Sequence, residues 1–142
     1  HMAESTAKVL GALTDENLAQ PVADGHRTLG QLAWHIVVTV PEMMSRIGLQ
    51  LSSVDHEAPP PDSAEAIRAA QITVTRELLD ALKSGWNDGT LSETDDMYGQ
   101  LWSRGMTLTA MVNHEAHHRG QMTVLLRQAG AVVPGVFGPA KE

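Results

Sequence analysis

Cysteine is absent from the 142 residues. Disulfides, thiolate zinc ligands and a cysteine nucleophile are excluded with it, so any metal must be held by His, Asp or Glu. No basic cluster offsets the formal net charge of −7, which argues against nucleic acid or a bilayer surface as the main partner. No apolar run is long enough to span a membrane, and no signal-peptide pattern stands at the start. The cytoplasm is therefore the expected compartment. No internal repeat is found, no nucleotide-binding motif, and no low-complexity segment beyond Pro59-Pro60-Pro61.

What is present suits one domain over residues 1–142. At 42% hydrophobic the chain has material for a core, and a chain of this length buries roughly two-thirds of its unfolded surface. His1-Met2 reads as a cloning scar joined to a start codon, so His1 is set aside from the chemistry.

Four segments read as helices. Ala3 to Leu13 presents Val9, Leu10 and Leu13 as a buried edge, and a further turn begins near Thr14. Pro21 to Arg27 reads as a loop in which His26 is solvated. Thr28 opens the second helix with Gln31 in capping-box position, and Leu29, Leu32, Ile36 and Val40 follow helical spacing. Pro41 is expected to kink or divide it, with Glu42 to Leu49 as a continuation. After a polar, proline-rich connection from Ser52 to Pro61 that carries His56, Asp62 or Ser63 caps the third helix. Its stripe is Ile67, Ala70, Val74, Leu78 and Leu82, and Gly85 ends it. Trp86 to Met106 shows turn signals at Asn87-Asp88-Gly89 and interruptions at Gly99 and Gly105. There Met97, Tyr98, Leu101 and Trp102 either pack over one end of the helices or line a pocket. Thr107 to Ala129 is the fourth helix, with Gly130 and Pro134 as its stop, and the remaining tail runs over the surface. The fold class expected is an all-α four-helix bundle with a long crossover connection between helices 2 and 3.

The chemistry concentrates in Asn113 to Gln121, NHEAHHRGQ. At ~100° per residue, His114 and His118 lie on the side of the helix that borders its apolar stripe, and His117 turns toward the outer face. Two imidazoles one turn apart can grip one metal ion, or can be ordinary helix histidines bonded to their neighbours; three within five residues shift the balance to metal. His114-Glu115-Ala116-His117-His118 also matches H-E-x-x-H, a short pattern in which the Glu is a general base. Glu115 falls near the middle of the apolar stripe, where an ionised carboxylate needs a partner. Arg119 is four residues on, so structural pairing stands slightly ahead of catalysis. His35 lies in the apolar second helix. Alone it is more often structural than a ligand, but the last helix needs a third ligand from elsewhere. Glu42, seven residues after His35, shares its face and is an acid/base candidate.

Together, Thr28-Leu29-Gly30-Gln31-Leu32-Ala33-Trp34-His35 and His114-Glu115-Ala116-His117-His118-Arg119-Gly120-Gln121 resemble the DinB-like family of metal-binding four-helix bundles, and the likeness covers nearly the whole chain. The first helix is short for that family. The resemblance implies a divalent metal, zinc or nickel, held by His35, His114 and His118, and homodimers are common among relatives. It also implies a thiol S-transferase-like activity, in which the metal activates a low-molecular-weight thiol (bacillithiol and mycothiol are used by relatives) to attack a small electrophile. Mycothiol-dependent isomerases are related. In that scheme Glu42 or Glu115 accepts a proton, and Arg104 or Arg119 holds an anionic group of a small-molecule substrate. Two other readings stand beside it: metal-dependent hydrolysis of a small ester or amide with Glu115 as base, and a non-enzymatic metal-binding stress-response module. A peptidase is disfavoured, since no strand edge is evident to hold an extended peptide.

Overall fold

The computed structural model describes residues 2–138; His1 and the last four residues of the tail lie outside it. Four helices account for most of the described chain: α1 (Met2–Leu10), α2 (Leu29–Arg46), α3 (Ala64–Gly85) and α4 (Arg104–Gln128). A two-stranded antiparallel hairpin, β1 (Thr94–Met97) and β2 (Gln100–Ser103), is inserted between α3 and α4. The all-helical expectation lacked this hairpin. α1 and α2 each pack against both α3 and α4, and the core between them is built from Val9, Leu29, Ile36, Met44, Ile67, Val74, Met122 and Leu126 among others. None of these helices is long and apolar enough to cross a membrane.

The local signals act much as their chemistry requires. Thr28 caps α2 and forms a full capping box with Gln31. Backbone carbonyls of the preceding loop take up the next free donors, since Leu29 N–H donates to Gln20 O at 2.8 Å and Gly30 N–H to Leu18 O at 2.9 Å. A side chain at Gly30 would bring a Cβ to 3.2 Å from the Leu18 carbonyl oxygen and 3.1 Å from its Cβ, so glycine permits this approach. The helix runs through Pro41 undivided to Arg46, so of the kink or division expected there the division does not occur. Ser63, not Asp62, caps α3, and Asp15 reinforces that cap by accepting from Ala64 N–H at 2.7 Å.

The end of α1 and the start of α4 differ from expectation. α1 stops at Leu10 rather than Leu13. α4 begins at Arg104 with Ser103 as its N-cap, so Gly105 and Met106 are helical and Thr107 is fully buried within the first turns rather than capping. Met97 and Trp102 of the hairpin join the core, whereas Tyr98 and Leu101 are exposed. The hairpin closes through Tyr98 and Gly99, both with positive φ (59° and 82°), the combination that suits a two-residue turn.

Candidate metal centre

α2 and α4 pack together and carry His35 and the pair His114 and His118 to one place. One ring nitrogen from each lies within 4.8 Å of the others. His35 Nε2 is 3.1 Å from His114 Nε2, and His118 Nε2 is 3.0 Å from the same atom. The three rings meet edge to face, with centroids 4.4–4.9 Å apart.

Hydrogen bonding alone does not satisfy this cluster. His118 Nδ1 stands 2.6 Å from Gln121 Oε1, an acceptor, so Nδ1 carries the proton and Nε2 presents its lone pair inward. His114 Nε2 then faces two neighbours with one site, either one N–H or one in-plane lone pair. It can serve one of them and must oppose the other. A cation among the three nitrogens removes the conflict. A tetrahedral ion bound at about 2.0–2.1 Å separates its nitrogen ligands by about 3.3 Å, close to the spacing found. The donor set therefore fits a divalent metal, and Gln121 is the outer partner that fixes one ligand's tautomer.

Electrostatics keep the rings neutral, as metal ligation requires. Burial, then the charge of Arg27 and the neighbouring imidazoles, pushes His35 down to about 4. Burial also lowers His114, with His118, His117 and Arg27 adding to it. For His118 burial outweighs the bond to Gln121, which acts in the opposite direction. The Glu42 carboxylate is near enough to oppose the shift at His35 and His114.

The other residues singled out from the sequence disperse. Glu42 accepts from Arg46 Nε at 2.5 Å and from the Tyr98 hydroxyl at 2.8 Å, with the Arg46 guanidinium 4.3 Å over the Tyr98 ring. Glu115 faces α1, not the histidines. It accepts a hydrogen bond from the Thr6 hydroxyl and lies 4.0 Å from Arg119. Arg119 is 2% exposed, donates to Thr6 Oγ1 at 2.9 Å and sits over the Phe137 ring. Arg104 is bound by Glu93 at 2.6 Å and Asp95 at 2.9 Å, below the hairpin. The H-E-x-x-H arrangement, in which the glutamate works beside two histidines of its own motif, is therefore not formed. His117 is exposed, its ring touching only the edge of His118 among the ring contacts of the triad.

Sequence reasoning passed over Arg27. A cavity of about 330 Å³ opens beside His118 and Gln121, and Arg27 and His26 line it with Val22, Leu32, Val124 and Leu125. The signal was present in Gly25. His26 N–H donates to Ala23 O at 3.2 Å across a turn whose third residue, Gly25, has φ 76°, the left-handed conformation glycine adopts without strain. A bridge between Pro21 and Thr28 closes the loop at its base.

Comparisons with known proteins agree with this fold. The uncharacterized protein YrdA of Bacillus subtilis strain 168 is 41% identical over 140 residues, covering 99% of this chain and 84% of that protein. A crystal structure of a DinB-like protein from Bacillus cereus ATCC 10987 matches with a TM-score of 0.91 at 44% identity, over 96% of this chain and 91% of that one. The DinB-like protein YjoA of Bacillus subtilis shares the fold at 16% identity, with a TM-score of 0.73 over 99% of this chain and 93% of its own. All of residues 1–142 match the DinB family. A helical fold of this kind, with three histidines drawn from the two helices that carry the matching motifs, places the chain in the DinB family.

Proposed function

We propose that this protein is a divalent-metal-dependent enzyme acting on a small molecule, and that its reaction is thiol transfer to an electrophile. The observation that carries the proposal is the convergence of three imidazole nitrogens, one of them set by Gln121, beside an open cavity. His35, His114 and His118 would hold the ion, zinc or nickel. Three protein ligands leave room for an exchangeable one, the arrangement of catalytic rather than structural sites. A bound divalent cation supplies Lewis acidity, lowering the pKa of a thiol or water beside it.

The chain's own residues account for the rest. Glu42, with one oxygen held by Arg46 and the other by Tyr98, is the carboxylate whose field reaches His35 and His114. In this reading Glu42 would accept the proton that a substrate thiol gives up. Leu32, Val124 and Leu125 give the cavity beside His118 an apolar lining on which the body of a small substrate would rest. Glu115 and Arg119 serve packing in this scheme, and Arg104 serves the hairpin.

The test begins with metal content by elemental mass spectrometry on tag-free protein beside His35→Ala. About one ion per chain, lost in the variant, supports the centre. A protein that stays metal-free after loading with zinc or nickel sinks the proposal. The loaded protein is then assayed with bacillithiol or mycothiol and monochlorobimane. Turnover that needs the thiol and is lost in His35→Ala is expected. Thiol-independent cleavage of p-nitrophenyl acetate, again lost in the variant, would replace transfer by hydrolysis.

A further inference from the structure

Arg27 sits in the wall of the cavity beside the histidines, and no carboxylate pairs with it among the described residues. Four of the protein's other arginines, at 46, 68, 104 and 119, are each bound to an acidic side chain. Arg76 is likewise without an ion pair among the described residues, but the cavity it lines holds no histidine; Arg27, though exposed, shares its cavity with His118. This placement does not arise from a wandering loop. The loop is fastened to the start of α2 by the Pro21–Thr28 bridge and by the bonds from Leu29 to Gln20 and Gly30 to Leu18. His26 and Arg27, both exposed, follow the Gly25 turn and line the cavity. Arg27 lines the same cavity as His118 and as Gln121, the hydrogen-bond partner of His118, so it borders the centre.

We propose that this cavity is the seat of a small organic carboxylate, its charged end paired with Arg27 and its apolar body laid on Val22, Leu32, Val124 and Leu125. The ligand class follows from the wall. A planar guanidinium matches a carboxylate with two parallel hydrogen bonds. A single arginine serves one anionic group, and the aliphatic residues opposite it disfavour a polyanion such as a nucleoside triphosphate. The volume is near the lower end of small-molecule pockets, which start at about 300 Å³, so the body is a short chain or a single ring. The inference deepens the proposed function by naming a substrate class for the same site, and rests on that reading only for the reaction that follows binding.

The experiment is a calorimetric titration of the zinc-loaded full chain with hexanoate and with hexanamide, its uncharged counterpart, repeated on Arg27→Gln. Hexanoate should bind at least about tenfold more tightly than hexanamide, as loss of a charge-assisted pair implies. Arg27→Gln should erase that difference while keeping its zinc. Arg27→Met, which keeps much of the aliphatic stem, should behave as Arg27→Gln does. Equal binding of hexanoate by wild type and both variants, or no binding by wild type, overturns the inference. The same titration on chelator-stripped protein separates the two proposals. Arg27-dependent binding that survives without metal upholds the carboxylate seat even if no catalysis is found. Binding that disappears with the metal and ignores Arg27 means the carboxylate ligates the ion directly. That outcome removes the seat and leaves the metal centre standing.

Discussion

Arg119 donates to the Thr6 hydroxyl at 2.9 Å, and the same hydroxyl donates to Glu115. One threonine from α1 thus completes a buried pair on α4, next in sequence to the histidines but facing the other way. Removing one member of a buried charged pair strands the other, at a cost of about 3–5 kcal/mol. Arg119→Ala should therefore lower the unfolding free energy by about 3 kcal/mol, at the modest end because Glu115 keeps 13% of its side chain exposed. Glu115→Gln keeps an acceptor for Thr6 but leaves the more deeply buried Arg119 without its carboxylate, so it should cost about 3 kcal/mol as well. Urea unfolding measures both. Metal content and turnover of Glu115→Gln should match wild type at a temperature where it is folded. A large fall in turnover at unchanged stability would return Glu115 to catalysis.

Gln121 touches the ring that touches the centre. Its Oε1 holds His118 Nδ1 at 2.6 Å and so sets which nitrogen faces His114. Partners of this kind are worth about 10- to 100-fold in metal affinity. Gln121→Leu should weaken zinc binding by a factor in that range, while Gln121→Glu, still an acceptor, should retain it. Competition against a chelator of known affinity reads both. If Gln121→Leu binds zinc as wild type does, the tautomer is set by the ion itself.

The lowered histidines give acid sensitivity a definite sign. In the unfolded chain an imidazole titrates near 6.5; folded, His35 is pushed to about 4, and His114 and His118 are lowered as well. Between those values the unfolded chain binds more protons, so stability rises with pH there. The metal-free protein should lose stability as pH falls from about 6.5 toward 4 and be level, as far as these groups matter, above 6.5. In the loaded protein the same neutral rings should retain metal into that window, since protons compete poorly for them. Thermal melts of stripped and loaded protein across pH 4–8 test this. A stripped protein that gains stability on acidification through that range would contradict the placement of these rings.

How much of this could be read in the residues follows from how local each determinant is. His114 and His118 are one turn apart, and Thr28 with Gln31 forms a capping box, so pattern alone located them. His35 came from a motif, because its partnership with His114 spans 79 positions. Thr6 and Glu115 are 109 positions apart and carry no periodic signal of their meeting. The hairpin escaped notice because Asp95 and Asp96 are poor strand residues, held instead by pairing with Trp102 and Leu101 and by Arg104 beneath. Gly105 suggested an interruption, yet Ser103 caps one residue ahead of Arg104 and the helix passes through that glycine. Arg27 was hidden in a loop whose course depends on one glycine turn and two backbone bonds to Leu18 and Gln20.

Glu42 offers the test that best separates chemistry from scaffolding, because its two proposed effects move different readouts. Its carboxylate is held by Arg46 at 2.5 Å and Tyr98 at 2.8 Å, and its charge raises the pKa of His35 and His114 against the larger effect of burial. Glu42→Gln preserves size and most hydrogen bonding but removes the charge. The two histidines in the stripped protein should then titrate still lower, visible in the pH dependence of their imidazole NMR signals. Zinc should remain at one per chain, since Glu42 is not among the three converging ligands. The exposed pair with Arg46 contributes little to folding, so stability should change by less than about 1 kcal/mol. Turnover should nonetheless fall by about 100-fold or more if Glu42 accepts the proton, with KM for the electrophile little changed. Tyr98→Phe keeps the ring under Arg46 and removes only the donor to Glu42, so its loss of turnover should be smaller. If Glu42→Gln shifts the histidine signals while turnover is untouched, Glu42 tunes the centre electrostatically and the proton goes elsewhere.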